Sequence, residues 1–151
     1  MKKFISSFLL LIIALCLPMS THAYQYQGPE TELVFLINKE REARNIPPIY
    51  IDWEITRLAR YKSEEMINHR LFDHESLVYG NPAQLLDTFH VPYNLVGANI
   101  AMGHEAPRHV IEAWCTSPGH YVNVVNPNFT KAGVGLSWDD GIPYWTLILV
   151  G

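Results

Sequence analysis

Apolar residues along this chain follow two kinds of spacing. Leu33, Val34, Leu36 and Ile37 make one face of a helix that opens at Gly28-Pro29-Glu30, with a proline early and acids in its first turn. Lys39, Glu40, Arg41 and Glu42 read as its solvent side, and "IPP" at 46–48 ends it, because a residue before proline avoids the helical region. Asp52 is a good N-cap for a second helix running to about Asn68, with Ile55, Leu58, Ala59 and Met66 at near-helical spacing. "LFDHES" follows as a loop, and "NPAQLLDTF" predicts a short third helix. "NLVGANIAMG" sets an apolar core between two glycines, which suggests a strand or a tight backbone approach. "PRHVIEAWCT" predicts a fourth helix from about Ala106, with Val110, Ala113 and Trp114 inward, broken by Pro118-Gly119.

From Ala132 the period becomes two. Ala132, Val134, Leu136 and Trp138 alternate with Gly133, Gly135, Ser137 and Asp139, the pattern of a strand with one buried face. Asp139-Asp140-Gly141 is a turn, and "PYWTLILV" returns as the partner strand. Pro143 sits at a strand start, where a missing donor is tolerated. Helices first and an antiparallel hairpin last predict an α+β domain with helices packed over a sheet.

The 151 residues allow one ordinary domain. The N-terminal apolar run changes the picture first. Lys2 and Lys3 precede "FLLLIIALCL", about ten apolar residues, the length of a signal h-region. The run is too short to span a bilayer, which takes roughly 20. Residues 1–23 read as a secretory signal cut after Ala23, 24–29 as a short lead, and 30–151 as the domain. The expected location is outside the cytoplasm, secreted or periplasmic, with no integral membrane segment once the signal is gone. Loss of Lys2 and Lys3 makes the formal charge of −4 more negative by two. Such a surface argues against nucleic acid as a partner. Cys16 leaves with the signal, so Cys115 stands alone and no internal disulfide forms. Cys115 reads as an apolar helix-face residue.

Five stretches then carry a resemblance: "LVFLINKEREARNIPPIYIDWEITRLARYKSEEM", "FDHES", "GANIAMG", "AWCTSPGHYVNVVNPNFTKAGVG" and "YWTLILVG". In this order they resemble the CAP superfamily of cysteine-rich secretory proteins, antigen 5 and pathogenesis-related proteins, most closely its bacterial SCP-like extracellular branch. The resemblance covers about residues 30–151. It implies a three-layer α-β-α sandwich with an antiparallel central sheet and a cleft that many members line with two histidines and two acids. By motif, His74 and His120 are the histidines. Ala98 stands where a glutamate is usual, beside Asn99, and Ser117 stands near the place of the second acid. Tyr121 joins this cleft set, with Tyr79 and Tyr93 in nearby loops.

Two imidazoles suit zinc or a similar borderline metal. Without the glutamate the resemblance implies weak zinc binding at most through His74 and His120. Asp73 and Glu75 flank His74 and read as solvated loop charges, with the option of replacing the missing carboxylate. Asn123 is expected to bond backbone and hold its turn, Gly119 to permit that turn, and Asn126, Pro127, Gly133 and Gly135 to set up turn and strand. Asn128 heads a sequon that also fits a plain structural turn. The function the resemblance implies is non-enzymatic binding of an extracellular lipid, glycan or protein. The alternative is a metal-assisted hydrolase using His74 and His120, with a Cys115–His120 pair as a further option.

Overall fold

The computed structural model describes residues 28–151. The signal segment, Cys16 and all of the lead before Gly28 lie outside the described residues. The elements run α1 (Pro29–Glu42), β1 (Tyr50–Ile51), α2 (Trp53–Asn68), α3 (Pro82–Thr88), β2 (Val96–Met102), α4 (Pro107–Thr116), α5 (Pro118–Val124), β3 (Lys131–Asp139) and β4 (Ile142–Val150). The strand order is β1-β3-β4-β2. The three long strands are antiparallel, and β1 adds a two-residue parallel pair at one edge. No described helix is long and apolar enough to cross a membrane.

β4 separates two cores by its alternation. Trp145, Leu147 and Leu149 face Leu33 and Ile37 of α1 with Val110 and Trp114 of α4. Ile148 and Val150 face Ile55, Leu58 and Ala59 of α2 with Leu85 and Leu86 of α3. The result is the expected α-β-α sandwich. Both deep tryptophans satisfy their indole N–H, Trp114 on the Ile100 carbonyl at 3.0 Å and Trp145 on that of His104 at 2.8 Å.

Helix starts follow the expected chemistry. The Asp52 side chain accepts the N–H groups of Glu54 and Ile55, and Asn81 with Gln84 forms a reciprocal capping box. Helix ends do not. α1 stops at Glu42, short of the prolines, because Asn45 turns left-handed (φ 57) and the Ile46 N–H reaches back to the Arg41 carbonyl. Arg70 after α2 and His90 after α3 repeat this without glycine, at φ 52 and 56. Pro118-Gly119 does break α4 as expected, with Thr116 its last residue, but it also begins a further helix, α5, that was not expected. Ser117 is extended, and Pro118, with its φ already fixed, fits the first helical position. Gly119 has open space around it and no positive φ, so it is not there to permit a turn.

Two further expectations are corrected. Arg41 is fully buried, not solvent-facing. Its guanidinium donates to the carbonyls of Pro47 (2.8 Å), Val124 (3.1 Å), Asn126 (2.8 Å) and Phe129 (3.0 Å). Burial lowers its pKa, yet a guanidinium stays charged in a protein. β3 is covered on both faces, not one. A Cβ on Gly133 would lie 2.2 Å from the Thr56 nitrogen, and one on Gly135 would lie 2.2 Å from the Ala59 carbonyl carbon. These glycines are the seat on which α2 rests. Ala113 is only half-buried, and Ile111 takes the inward place beside Val110 and Trp114. The hairpin tip does follow expectation: Asp140 and Gly141 both have positive φ, as a two-residue turn of this hand requires.

Gly135→Ala should lower unfolding stability by roughly 3 kcal/mol through overpacking against backbone. Gly119→Ala should change it by less than about 0.5 kcal/mol. Urea melts of the two variants check the contrast. Arg41→Met should cost about 3 kcal/mol or more, because four carbonyls, two of them in buried hydrogen bonds, lose their donor. Arg41→Lys should recover only part of that, since three ammonium N–H groups cannot serve four acceptors in a fixed fork.

Candidate functional site

β2 lies at one edge of the sheet, and the two expected histidines approach it from different layers. His120 arrives on α5. The Ser117 carbonyl accepts the N–H groups of His120 (3.1 Å) and Tyr121 (2.8 Å), so His120 sits in the first turn of that helix. Two asparagines fix the helix to β2. Asn99 is fully buried, and its amide donates to the His120 carbonyl at 3.0 Å. Asn123 donates to the Asn99 side-chain oxygen at 2.8 Å and to the Ala98 carbonyl at 3.2 Å. Asn123 does bond backbone, but that of a strand far away in sequence. Gly97 makes the approach possible, because a Cβ there would meet Phe129 at 2.7 Å and the Asn123 oxygen at 3.0 Å.

His74 arrives on the loop between α2 and α3. Asp73 shapes that loop locally by accepting the Glu75 N–H at 3.0 Å. A buried ion pair on α2 holds it in place. Lys62 and Glu65 are each about 95% buried and stand 3.2 Å apart. Lys62 also donates to the Glu75 carbonyl at 2.6 Å. Glu65 accepts the Ser76 hydroxyl at 2.7 Å and the Val78 N–H at 3.3 Å. Burial pushes the Glu65 pKa up, but the bond from Ser76 and the charge of Lys62 outweigh it, so the carboxylate stays below its ordinary value.

The two imidazoles meet with centroids 5.8 Å apart and planes tilted by 36°. Desolvation lowers the His74 pKa, the Asp73 charge opposing it and Lys62 adding to it. Desolvation lowers His120 too, with His74 adding repulsion. Both rings are therefore neutral at physiological pH, one nitrogen donating and the other accepting. Among the described residues neither ring has a hydrogen-bond partner. Beneath His74 lies a narrow crevice lined by Lys62, Ser76, Ala98, Thr146 and Ile148, with room for about one water molecule.

The remaining expected site residues scatter. Ala98 lines the crevice, and Asn99 acts as the tie described above. Ser117 is the extended residue before α5, its side chain making no cap bond. Tyr121 turns toward α1, where its hydroxyl accepts from Arg44 at 2.5 Å and its ring lies under that guanidinium. Tyr79 packs between Tyr61 and Phe89, and Tyr93 bonds Asp87 at 3.0 Å. Cys115 is free and half-buried. Burial raises its thiol pKa, and its charged neighbours are Glu40 and Arg44, not His120. A roomier groove lies elsewhere, between α1 and the 45–48 link, and holds no such chemistry.

The sequence reading missed Lys62, Glu65 and Ser76. A signal for the first two was present. Positions 62, 63 and 65 continue the buried stripe of Ile55, Leu58 and Ala59, and polar residues on a buried stripe ask for partners.

Residues 34–149 match the family described as CAP, the cysteine-rich secretory protein family. The chain is 39% identical over 134 residues to the YkwD protein of Bacillus subtilis, covering 89% of this chain and 49% of that one. It is similar to the crystal structure of an extracellular protein containing a SCP domain from Bacillus anthracis, with a TM-score of 0.73 and 28% identity. That match covers 82% of this chain and 40% of the other, so the chain spans half or less of both relatives. An outer surface protein of Borrelia burgdorferi shares the fold, with a TM-score of 0.73 at 23% identity over 79% of this chain and 89% of that one. With the family match spanning most of its length, the chain belongs to the CAP, or cysteine-rich secretory protein, family.

Proposed function

We propose that this is an exported protein that binds an extracellular lipid, glycan or protein where His74 and His120 meet, without turning it over. One observation carries the reading: two imidazoles stand together, and among the described residues neither ring has a hydrogen-bond partner, while desolvation lowers the pKa of both. Such rings keep their donors and acceptors for a ligand. Export is supported by the signal-like N-terminus and by the descriptions of two similar proteins as extracellular and outer-surface.

Hydrolysis asks for more than two histidines. A general base needs a third group to hold its tautomer and stabilise the imidazolium. No described carboxylate bonds to either ring. A resident zinc fits poorly for a related reason. Catalytic zinc sites usually offer three protein ligands and structural sites four. Among the described residues no group of three His, Cys, Asp or Glu could hold a metal. The donor set is two nitrogens.

Calorimetry should show zinc binding weaker than about micromolar to the wild type. Ala98→Glu, which puts a carboxylate beside His74, should tighten it at least about tenfold. For the ligand, protein with isotope-labelled histidine rings is screened against phospholipid micelles, chitin oligosaccharides and peptides. The expected hit shifts His74 and His120 together, loses affinity in either alanine variant, and is recovered intact by mass spectrometry. Cleavage of the hit that His120→Ala abolishes would overturn the reading in favour of hydrolysis.

The same spectra give a pH test. Both ring titrations should fall below the ordinary histidine value of about 6.5 and appear as a coupled pair. The sign for stability follows. With folded values depressed, the unfolded chain binds more protons, so stability is full above about pH 6.5 and is lost as pH drops through the folded values. In His74→Ala/His120→Ala this part of the acid slope should shrink.

A further inference from the structure

The crevice beneath His74 has a mixed lining. Ala98, Ile100 and Ile148 make it apolar. Lys62 also lines it, about 95% buried. An ammonium carries three N–H groups. Two are committed, to Glu65 at 3.2 Å and to the Glu75 carbonyl at 2.6 Å. Among the described residues the third has no acceptor. The Glu65 contact is also long for a charge-assisted bond, which runs about 2.7–2.9 Å. Glu65 divides its charge among Lys62, Ser76 and Val78. The buried cation is thus incompletely compensated.

The other polar groups of the crevice are occupied. The Thr146 hydroxyl bonds Ser63 at 2.9 Å, and the Ser76 hydroxyl serves Glu65 and the backbone of Val78 and Tyr79. What stays open is the third Lys62 N–H and the His74 ring. An ammonium can only donate, so it asks for an acceptor, and its charge asks for an anion. Apolar walls strengthen such a contact by excluding water. The space admits about one water-sized group. A flat carboxylate with a slim carbon behind it can put one oxygen there. A tetrahedral phosphate is wider at the mouth.

We propose that this crevice is an anion subsite that takes one carboxylate oxygen of the ligand on Lys62, with His74 at the rim. The assignment rests on the reading of the His74–His120 cleft as a ligand site and names the chemical class that site selects. The carboxylate is either that of a small free acid or the C-terminus of a peptide.

The test is methyl NMR on chelator-treated protein, reading Ala98, Ile100, Thr146 and Ile148. Sodium acetate and N-acetylalanine are titrated against neutral acetamide at constant ionic strength. Acetate should shift these methyls saturably in the millimolar range, and acetamide should bind at least about tenfold more weakly. Lys62→Met/Glu65→Gln removes the cation without stranding a buried anion and should weaken acetate at least about tenfold. Ala98→Val fills the crevice and should abolish the shifts while the Trp114 and Trp145 indole signals stay in place. Tighter binding of N-acetylalanine than acetate assigns the peptide C-terminus, and the reverse assigns a small acid. Equal shifts by acetate and acetamide, or acetate binding unchanged in the double variant, would overturn the subsite. So would the absence of any shift up to about 100 mM. Histidine rings that still respond to a micelle, glycan or peptide would then keep the cleft as a ligand site, and rings that respond to nothing would remove both.

Discussion

The Arg41 guanidinium is the constraint on which the functional side of this fold depends. It has no carboxylate partner and is fully buried. It is compensated by four carbonyls, drawn from the link after α1, the end of α5 and the segment leading to β3. A helix C-terminus is the negative end of its dipole, so the Val124 carbonyl is a favourable place for a cation. The consequence runs outward. With residues 124–129 pinned, Phe129 is pressed against Gly97 of β2, and α5 is held at a fixed height along that strand. Only then can Asn123 and Asn99 bond each other and hold the backbone of His120. The imidazole is placed by a charge on a different helix of the same layer.

This dependence explains what the sequence disclosed and what it hid. Helix starts were legible because their signals are local: Pro29, Asp52, Asn81 and Pro107 each act within a turn of their own position. Ends were less legible. Arg70 and His90 adopt left-handed backbone where glycine is the usual choice, so nothing in their type announced the stop, whereas Asn45 is a residue that tolerates it. α5 was concealed because Pro-Gly reads as a break unless the preceding residue is known to be extended. Arg41 and the glycines of β3 were misread for one shared reason. Apart from Pro47, their partners are more than seventy positions away, and periodicity cannot tell a buried arginine with three distant acceptors from one in water.

The candidate site divides along the same line. His74 and His120 were found by motif resemblance, because nothing in their spacing brings them together. Asn99 was placed in the right region, but its work is to carry α5. Lys62 and Glu65 were not singled out, although they fall on the stripe that Ile55 and Leu58 define as buried. Polar residues on a buried stripe carry information that hydrophobic periodicity averages away. Family membership and fold follow from the matches across most of the chain. The choice of ligand rests on the contacts of Lys62 and the two rings.

Those contacts have a consistent asymmetry. The backbone around the site is over-determined, by two asparagines on one wall and a buried ion pair on the other. The two imidazoles at its centre have no hydrogen-bond partner among the described residues. Rigid surroundings with uncommitted donors and acceptors suit recognition, because the ordering cost of binding has been met in advance by the fold. Proton transfer asks for the opposite, a ring locked in one tautomer by a partner that also absorbs its charge. Ala98 sharpens the distinction. A methyl group at that position leaves open space where a longer acidic side chain could have supplied both a ligand and an orienting bond. The site is thereby finished on its frame and open at its centre, and under the proposed binding role a bound molecule, not a residue of the chain, completes the chemistry.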